Sequence, residues 1–315
     1  MSWSKIFITL ILSLWVVGCS ARSFGGTPLD AARPPDGSVP PDGSVPPDAD
    51  IPLYDSYGYV SLVHTQQQEY RYPHESLMLA AWFYAEPWDA FRQPSGSEQP
   101  VLVQTPDGVP CEITLISGMD GPMPPQPPPE LDGGDIWAWS GDFEADLLEI
   151  AFNSGAYDAD YRSRSGTDIW PAWMSTGPLQ VQFESSGSAY VTSFHTFMNL
   201  SEMPEILSPP PSLDEPLTPD PDGTHRIAWT AVQADAMEIN LHFNMDWDDS
   251  QFRCYPPAGR TEMRLPHEWL EQYSWGYGEL NVYAVNEHIA HAGRGEMLLR
   301  AIRIRQLQLN ILVWE

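Results

Sequence analysis

Lysine occurs once in this sequence, at Lys5, and nowhere after it. Its absence excludes chemistry that needs a lysine amine: a Schiff base, a Ser–Lys dyad, or the phosphate-binding lysine of a Walker loop. Cations of either kind are scarce, with 15 basic residues against 43 acidic ones and a net charge of −28. Without Lys5 the balance is 14 arginines against the same acids, a charge of −29. Such a surface repels nucleic acid and anionic headgroups, which removes both as partners. It favours solubility, with cation collection as the sharper alternative. Missing too are a Gly-x-Ser-x-Gly elbow, a His-Glu-x-x-His helix, a dinucleotide loop and a phosphate loop. His74-Glu75 opens like a zinc-protease motif, but Met78 stands where the second histidine belongs. No catalytic residue is assigned, and the balance is against an enzyme.

Long apolar runs are also absent, with one short exception at the start. Met1 to Lys5 carries one cation, and Ile6 to Val17 is apolar but shorter than the roughly 20 residues of a membrane-spanning helix. The run ends in Val16-Val17-Gly18-Cys19. That ending resembles the lipobox of bacterial lipoprotein precursors: an aliphatic residue, a tolerant position, a small residue, then cysteine. The resemblance implies a signal peptide over 1–18, cleavage before Cys19, and a diacylglycerol (palmitate-type) anchor on its sulfur. Ser20, where an aspartate would favour inner-membrane retention, implies routing to the outer membrane. Several acyl chains, each buried methylene contributing about 0.8 kcal/mol, would hold the protein there, on the periplasmic face or the cell surface.

Residues 34–39 read Pro-Pro-Asp-Gly-Ser-Val, 40–45 repeat them, and Pro46-Pro47-Asp48 begins a third copy. There is almost nothing apolar here to bury, so 19–52 is expected to be the lipidated cysteine and a disordered stalk. From Tyr54 onward, apolar and polar residues alternate. Met237, Ile239, Leu241, Phe243 and Met245 face one way, with Glu238, Asn240, His242 and Asn244 between them, which is a strand period. Leu179, Val181 and Phe183 repeat the pattern, as do Leu307, Leu309, Ile311 and Val313. Further strands are expected at 101–104, 111–116, 135–139, 147–152, 189–198, 225–231, 279–285 and 297–304. Leu77 to Tyr84 suits helix or strand, and Pro266 to Tyr273 suits one or two helical turns. The fold class expected is all-β: a sandwich over 53–204, a Pro-rich linker over 205–222, and a second sandwich over 223–315, immunoglobulin-like or similar.

Cys111 and Cys254 are the two cysteines left after the anchor. They pair as a disulfide or remain two buried thiols, and sequence leaves both open. The aromatics Tyr157, Tyr161, Trp170 and Trp173 sit in a Ser/Gly/Asp-rich stretch. They form either a ligand platform stacking on sugar rings, as in carbohydrate-binding modules, or anchors of a loop onto the core. Asp220-Pro-Asp222-Gly223 and Asp246-Trp-Asp248-Asp249 offer oxygen donors of the kind calcium takes, but neither completes the EF-hand spacing. Turn aspartates binding their own backbone are the commoner outcome. His288 and His291, near Glu287 and Glu296, would converge on a metal only from a turn, since on a strand their offset sends them to opposite faces. No metal and no cofactor are assigned.

Lipobox, Pro-Asp-Gly-Ser stalk, Gly133-Gly134-Asp-Ile-Trp-Ala-Trp139 and the linker-to-Trp229 passage together resemble the uncharacterised outer-membrane lipoproteins of high-GC myxobacteria. Their layout implies tandem β-sandwich domains, and a lysine-free chain suits a GC-rich genome. The resemblance carries no activity with it. The reading that follows is a non-enzymatic cell-envelope lipoprotein, joined to the membrane by its lipid, with envelope proteins or polysaccharide as partners. A carbohydrate-binding surface module is second, and a hydrolase with an unrecognised site third.

Overall fold

A computed structural model of the protein describes residues 57–68, 75–84, 101–117, 131–141, 147–150, 157–163, 173, 175–210, 217–244, 248–271, 277–293 and 295–310. The expected signal peptide, Cys19 and the expected stalk lie outside them. Asp50–Glu315 forms one compact unit. It is almost wholly β, as the alternating pattern predicts, with one short helix among the described residues.

The strands in chain order are β1 (Tyr57–Gln67), β2 (Glu75–Tyr84), β3 (Val101–Gln104), β4 (Pro110–Ser117), β5 (Ile136–Trp139) and β6 (Leu148–Ile150). Next come β7 (Tyr157–Ser163), β8 (Leu179–Ser185), β9 (Phe194–Leu200), β10 (Ile206–Ser208) and β11 (Thr224–Trp229). The last are β12 (Ala236–Asn244), β13 (Asp248–Cys254), β14 (Glu262–Pro266), helix α1 (His267–Glu271), β15 (Tyr277–Ala292) and β16 (Gly295–Asn310). Nine strands make one sheet in the order β3-β4-β13-β12-β15-β16-β1-β2-β7, while β10-β11-β14 and β6-β5-β8-β9 make two smaller ones.

This pairing differs from the expected division into 53–204 and 223–315. The first strand, β1, lies parallel to the last, β16, from Tyr57 opposite Glu296 to Gln67 opposite Gln306. The expected linker 205–222 contains β10, which pairs with β11. What the two halves keep is a core each. In the first, Val60, Leu62, Leu79 and Phe83 of the large sheet meet Ile136, Val181, Phe183 and Met198 of the four-stranded one. In the second, Ile239, Leu241 and Phe252 meet Ile227, Trp229, Met263 and Leu265. Phe252 is flanked there by the Phe243 ring at 5.6 Å and by Trp269 of α1 at 6.2 Å.

Each core borrows a piece from the other half. Met297, Leu299 and Ala301 of β16 complete the first, and Val109 and Cys111, around the start of β4, complete the second. The physical reason is the length of the β15–β16 hairpin, whose two strands are 16 residues each and pass beneath both cores. Along β16 the inward positions read Met297, Leu299, Ala301, Arg303, Arg305, Leu307, Leu309, and every one is buried. The two arginines fall where one core gives way to the next. Arg303 Nη1 donates to the Ser175 carbonyl and Nη2 to the Gly177 carbonyl at 3.1 Å. Arg305 Nε donates to the Pro204 carbonyl at 2.9 Å. Gln68 holds β10 by two bonds of 3.1 Å, to the Ile206 carbonyl and from its N–H. Backbone crossing between the cores is therefore satisfied by side chains, as burial demands. His64, opposite Arg303 in the register, contacts Glu75 at 2.6 Å in the same seam.

Tight contact in the first core explains the glycines around Phe83. A Cβ on Gly58 would stand 2.9 Å from the Phe83 ring and 2.1 Å from Met297 Sδ, and one on Gly133 would stand 2.4 Å from the same ring. Only glycine lets backbone come so close to that ring.

Candidate functional site

Cys111 and Cys254 stand directly opposite each other on β4 and β13 and form a disulfide with an S–S distance of 2.08 Å. Register does what spacing could not: two strands 143 positions apart in sequence are hydrogen-bonded neighbours. Cross-links of this kind persist in oxidising compartments.

Of the two readings left open for the aromatic stretch, platform or anchor, burial decides at Trp173. Trp173 is fully buried and belongs to the first core, among the largest side chains there. A ring with no exposed surface stacks on nothing outside, so Trp173 is an anchor. Trp170 lies outside the described residues. Tyr157 and Tyr161 fall in β7, opposite Ala81 and Leu77 of β2, so this Ser/Gly/Asp-rich stretch is in part a strand.

The oxygen-donor runs also have structural uses. Asp222 Oδ1 accepts from the Thr224 N–H at 3.1 Å and from its hydroxyl at 2.7 Å, and Oδ2 accepts from Arg264 at 2.6 Å. Asp248 and Asp249 pair with β4, and Asp246 lies outside the described residues. His288 and His291 both stand on β15, at an offset that sends them to opposite faces. Among the described residues no group of three or more His, Cys, Asp or Glu side chains is placed to hold a metal ion.

Two arrangements stand out that sequence reading did not find. The first is a cleft of about 250 Å³ between β10, β11 and the end of β16, lined by Ser208, Pro209, Leu217, Thr218, His225 and Asn310 among others. His225, on β11, is buried, and its Nε2 shares a 2.9 Å hydrogen bond with Nδ1 of His267 at the start of α1. Its Nδ1 makes no hydrogen bond of ordinary geometry. Burial, with the His267 ring beside it, pushes the His225 imidazole down to about 4, against a smaller upward pull from Asp220. The Ser208 hydroxyl in this cleft donates to the Arg226 carbonyl at 3.0 Å.

The second is the outer face of the four-stranded sheet. Its inward positions, Ile136, Ala138, Val181, Phe183 and Met198, fill the first core. The positions between them point the other way and align in rows across the strands. One row runs Glu149, Trp137, Glu184, His195, and the next runs Trp139, Gln182, Phe197. A third pairs Gln180 with Asn199. Phe197 is 63% exposed, a large apolar ring in water on a strand whose other face is core. Trp137 is half-buried. Trp139 is buried, its ring 6.1 Å from that of His195 and tilted from it by 19°. His195 also reaches Gln182 Oε1 at 3.4 Å. The alternation that fixes 135–139 as a strand was the signal available for this face: two tryptophans two apart must share a side.

The disulfide, the shared sheet and the two cores define, among the described residues, a nearly all-β, cross-linked fold with an aromatic–amide face. No family model matches the chain, and no curated protein matches it.

Proposed function

We propose that this chain is a cell-envelope lipoprotein, held to the outer membrane through Cys19 and acting by interaction, without catalysis of its own. Its contact surface, on this reading, is the outer face of the four-stranded sheet. The observation that carries the proposal is that face: an aromatic ring 63% exposed at Phe197, opposite Gln182 and sharing the face with Trp137 and Glu184, on a rigid sheet packed on its other side. Exposed aromatics backed by a rigid scaffold are the usual makings of a recognition surface.

The address rests on Val16-Val17-Gly18-Cys19 and on the Pro-Asp-Gly-Ser stalk, which would lift the folded unit away from the membrane. A disulfide between Cys111 and Cys254 supports a location outside the reducing cytoplasm. The acidic surface suits a protein that must stay clear of anionic headgroups except through its lipid.

The test of the anchor is Cys19→Ala in the full chain. The unaltered protein should take up labelled palmitate and partition into detergent; the variant should do neither. Continued detergent partitioning of Cys19→Ala would refute the anchor.

A further inference from the structure

We infer that the outer face of β5, β8 and β9 is a binding site for a neutral polysaccharide. Pyranose rings would stack on Trp137 and Phe197, with Gln182, Glu184, His195 and Asn199 binding the hydroxyls. This rests on the proposal that the face is the contact surface, and it adds the chemical class of what the face holds.

The composition of the face selects the ligand. It places flat apolar rings among amides, an imidazole and carboxylates, in adjacent rows of one sheet. A pyranose matches both kinds of group: its C–H face is apolar, and its hydroxyls each donate and accept. Amides and carboxylates supply the complementary acceptors and donors, and the rings supply a large apolar surface of fixed orientation.

Other ligand classes fit less well. Glu149 and Glu184 lie on the face and none of the described positions in its rows is a lysine or arginine, so phosphate, sulfate or uronate groups would meet charge of their own sign there. A protein partner would set its own apolar centre on the middle of the patch, where charged residues are usually depleted. Here the middle of the patch is Gln182 and Glu184, flanked by Trp137 on one side and Phe197 and His195 on the other.

Size points to a chain of sugars. Trp137 and Phe197 stand two strands and one row apart, which at ordinary strand spacing and rise is about 12 Å between backbones. One ring cannot cover both, and an oligosaccharide can. The site is also stiff. His195 lies beside the buried Trp139 and touches Gln182, so these polar groups are held in place before a ligand arrives, which reduces the entropy lost on binding.

The test uses the full chain in detergent micelles. Mixed-linkage glucan, xyloglucan and galactomannan are titrated in turn, with polygalacturonate as the anionic control and tryptophan fluorescence as the readout. At least one neutral polymer should bind and polygalacturonate should not. Trp137→Ala and Phe197→Ala should each weaken binding about tenfold, the loss of one stacked ring. Tyr190→Ala, which removes an exposed aromatic outside these rows, should leave it unchanged. Phe197 is exposed, so its variant should keep the native near-ultraviolet circular dichroism and still report if Trp137→Ala folds poorly. Binding unaffected by Phe197→Ala, or binding to the anionic polymer alone, would overturn the inference. A photo-crosslinker at position 197 separates the two proposals. Crosslinks to an envelope protein, with no glycan binding, would overturn the sugar site and leave the contact face standing. Neither crosslinks nor binding would remove both.

Discussion

His225 makes a prediction about acid that can be worked through in numbers. Its imidazole has an ordinary value of 6.5 in the unfolded chain and is pushed down to about 4 in the fold, by burial first and by His267 second. Between those values the unfolded chain binds a proton that the folded chain refuses. Stability contributed by neutral His225 is therefore whole above pH 6.5, falls as the pH drops towards 4, and changes no further below it. A shift of this size corresponds to about 3 kcal/mol. For a chain of this length that is roughly 6–12 °C in melting temperature. The perturbation is His225→Gln, which cannot take up the proton. Melting temperatures of both proteins are followed by circular dichroism from pH 7.5 to 3.5, and the difference between them is plotted. His64, which burial also lowers, and the carboxylates are present in both proteins and cancel in that difference. The variant should begin less stable at pH 7.5, having lost its bond to His267, and the gap should close or reverse by pH 4. A difference that stays constant across the range would show that His225 is not held neutral by the fold.

Two further substitutions test the packing. Trp173→Ala removes a fully buried ring from the first core and should cost about 3–5 kcal/mol, read as a shift in the urea midpoint; a loss below 1 kcal/mol would return the residue to the surface. Arg303→Met strips two carbonyls, of Ser175 and Gly177, of their donors and should cost about 2 kcal/mol or more, and Arg303→Lys should not restore it, because one ammonium cannot copy a two-pronged guanidinium. Full rescue by lysine would mean that charge, and not geometry, is what this position supplies.

The parts of the fold that sequence makes legible are those set by neighbours along the chain. Met237 to Phe243 alternates without interruption, and β12 lies there; Leu179, Val181 and Phe183 likewise mark β8. At β16 the pattern misleads. Arg303 and Arg305 occupy inward positions, so one strand of 16 residues reads as two shorter ones with a polar break between them. Burial of those guanidiniums depends on the carbonyls of Ser175, Gly177 and Pro204, distant in sequence, and no local pattern announces such partners.

The same limit governs the site. Trp173 stands among small and polar residues that signal a surface loop, yet which way a loop side chain turns is decided by what it meets, and it meets the first core. Trp137 and Trp139 are predictable as companions on one side of a strand, but that this side faces outward follows only once β8 pairs with β5, β9 with β8, and their other face packs into the first core. Cys111 and Cys254 pair because β4 and β13 are neighbours, a fact of sheet order. The proline-rich passage around 205–222 has the composition of a linker, but β10 is stitched to β11 within it.

The long hairpin also dictates an order of events during synthesis. Met297, Leu299 and Ala301 close the core built by residues 60–200, and β1 has no parallel neighbour until β16 exists. The amino-terminal half therefore cannot finish folding on its own as it leaves the ribosome, because β16, the strand that seals it, lies far downstream of β1. Pairings this distant in sequence are slow to form. On the lipoprotein reading proposed above, such lateness is useful: the polypeptide stays open for passage through a membrane until β16 has followed β1 across, and only then can both cores close together.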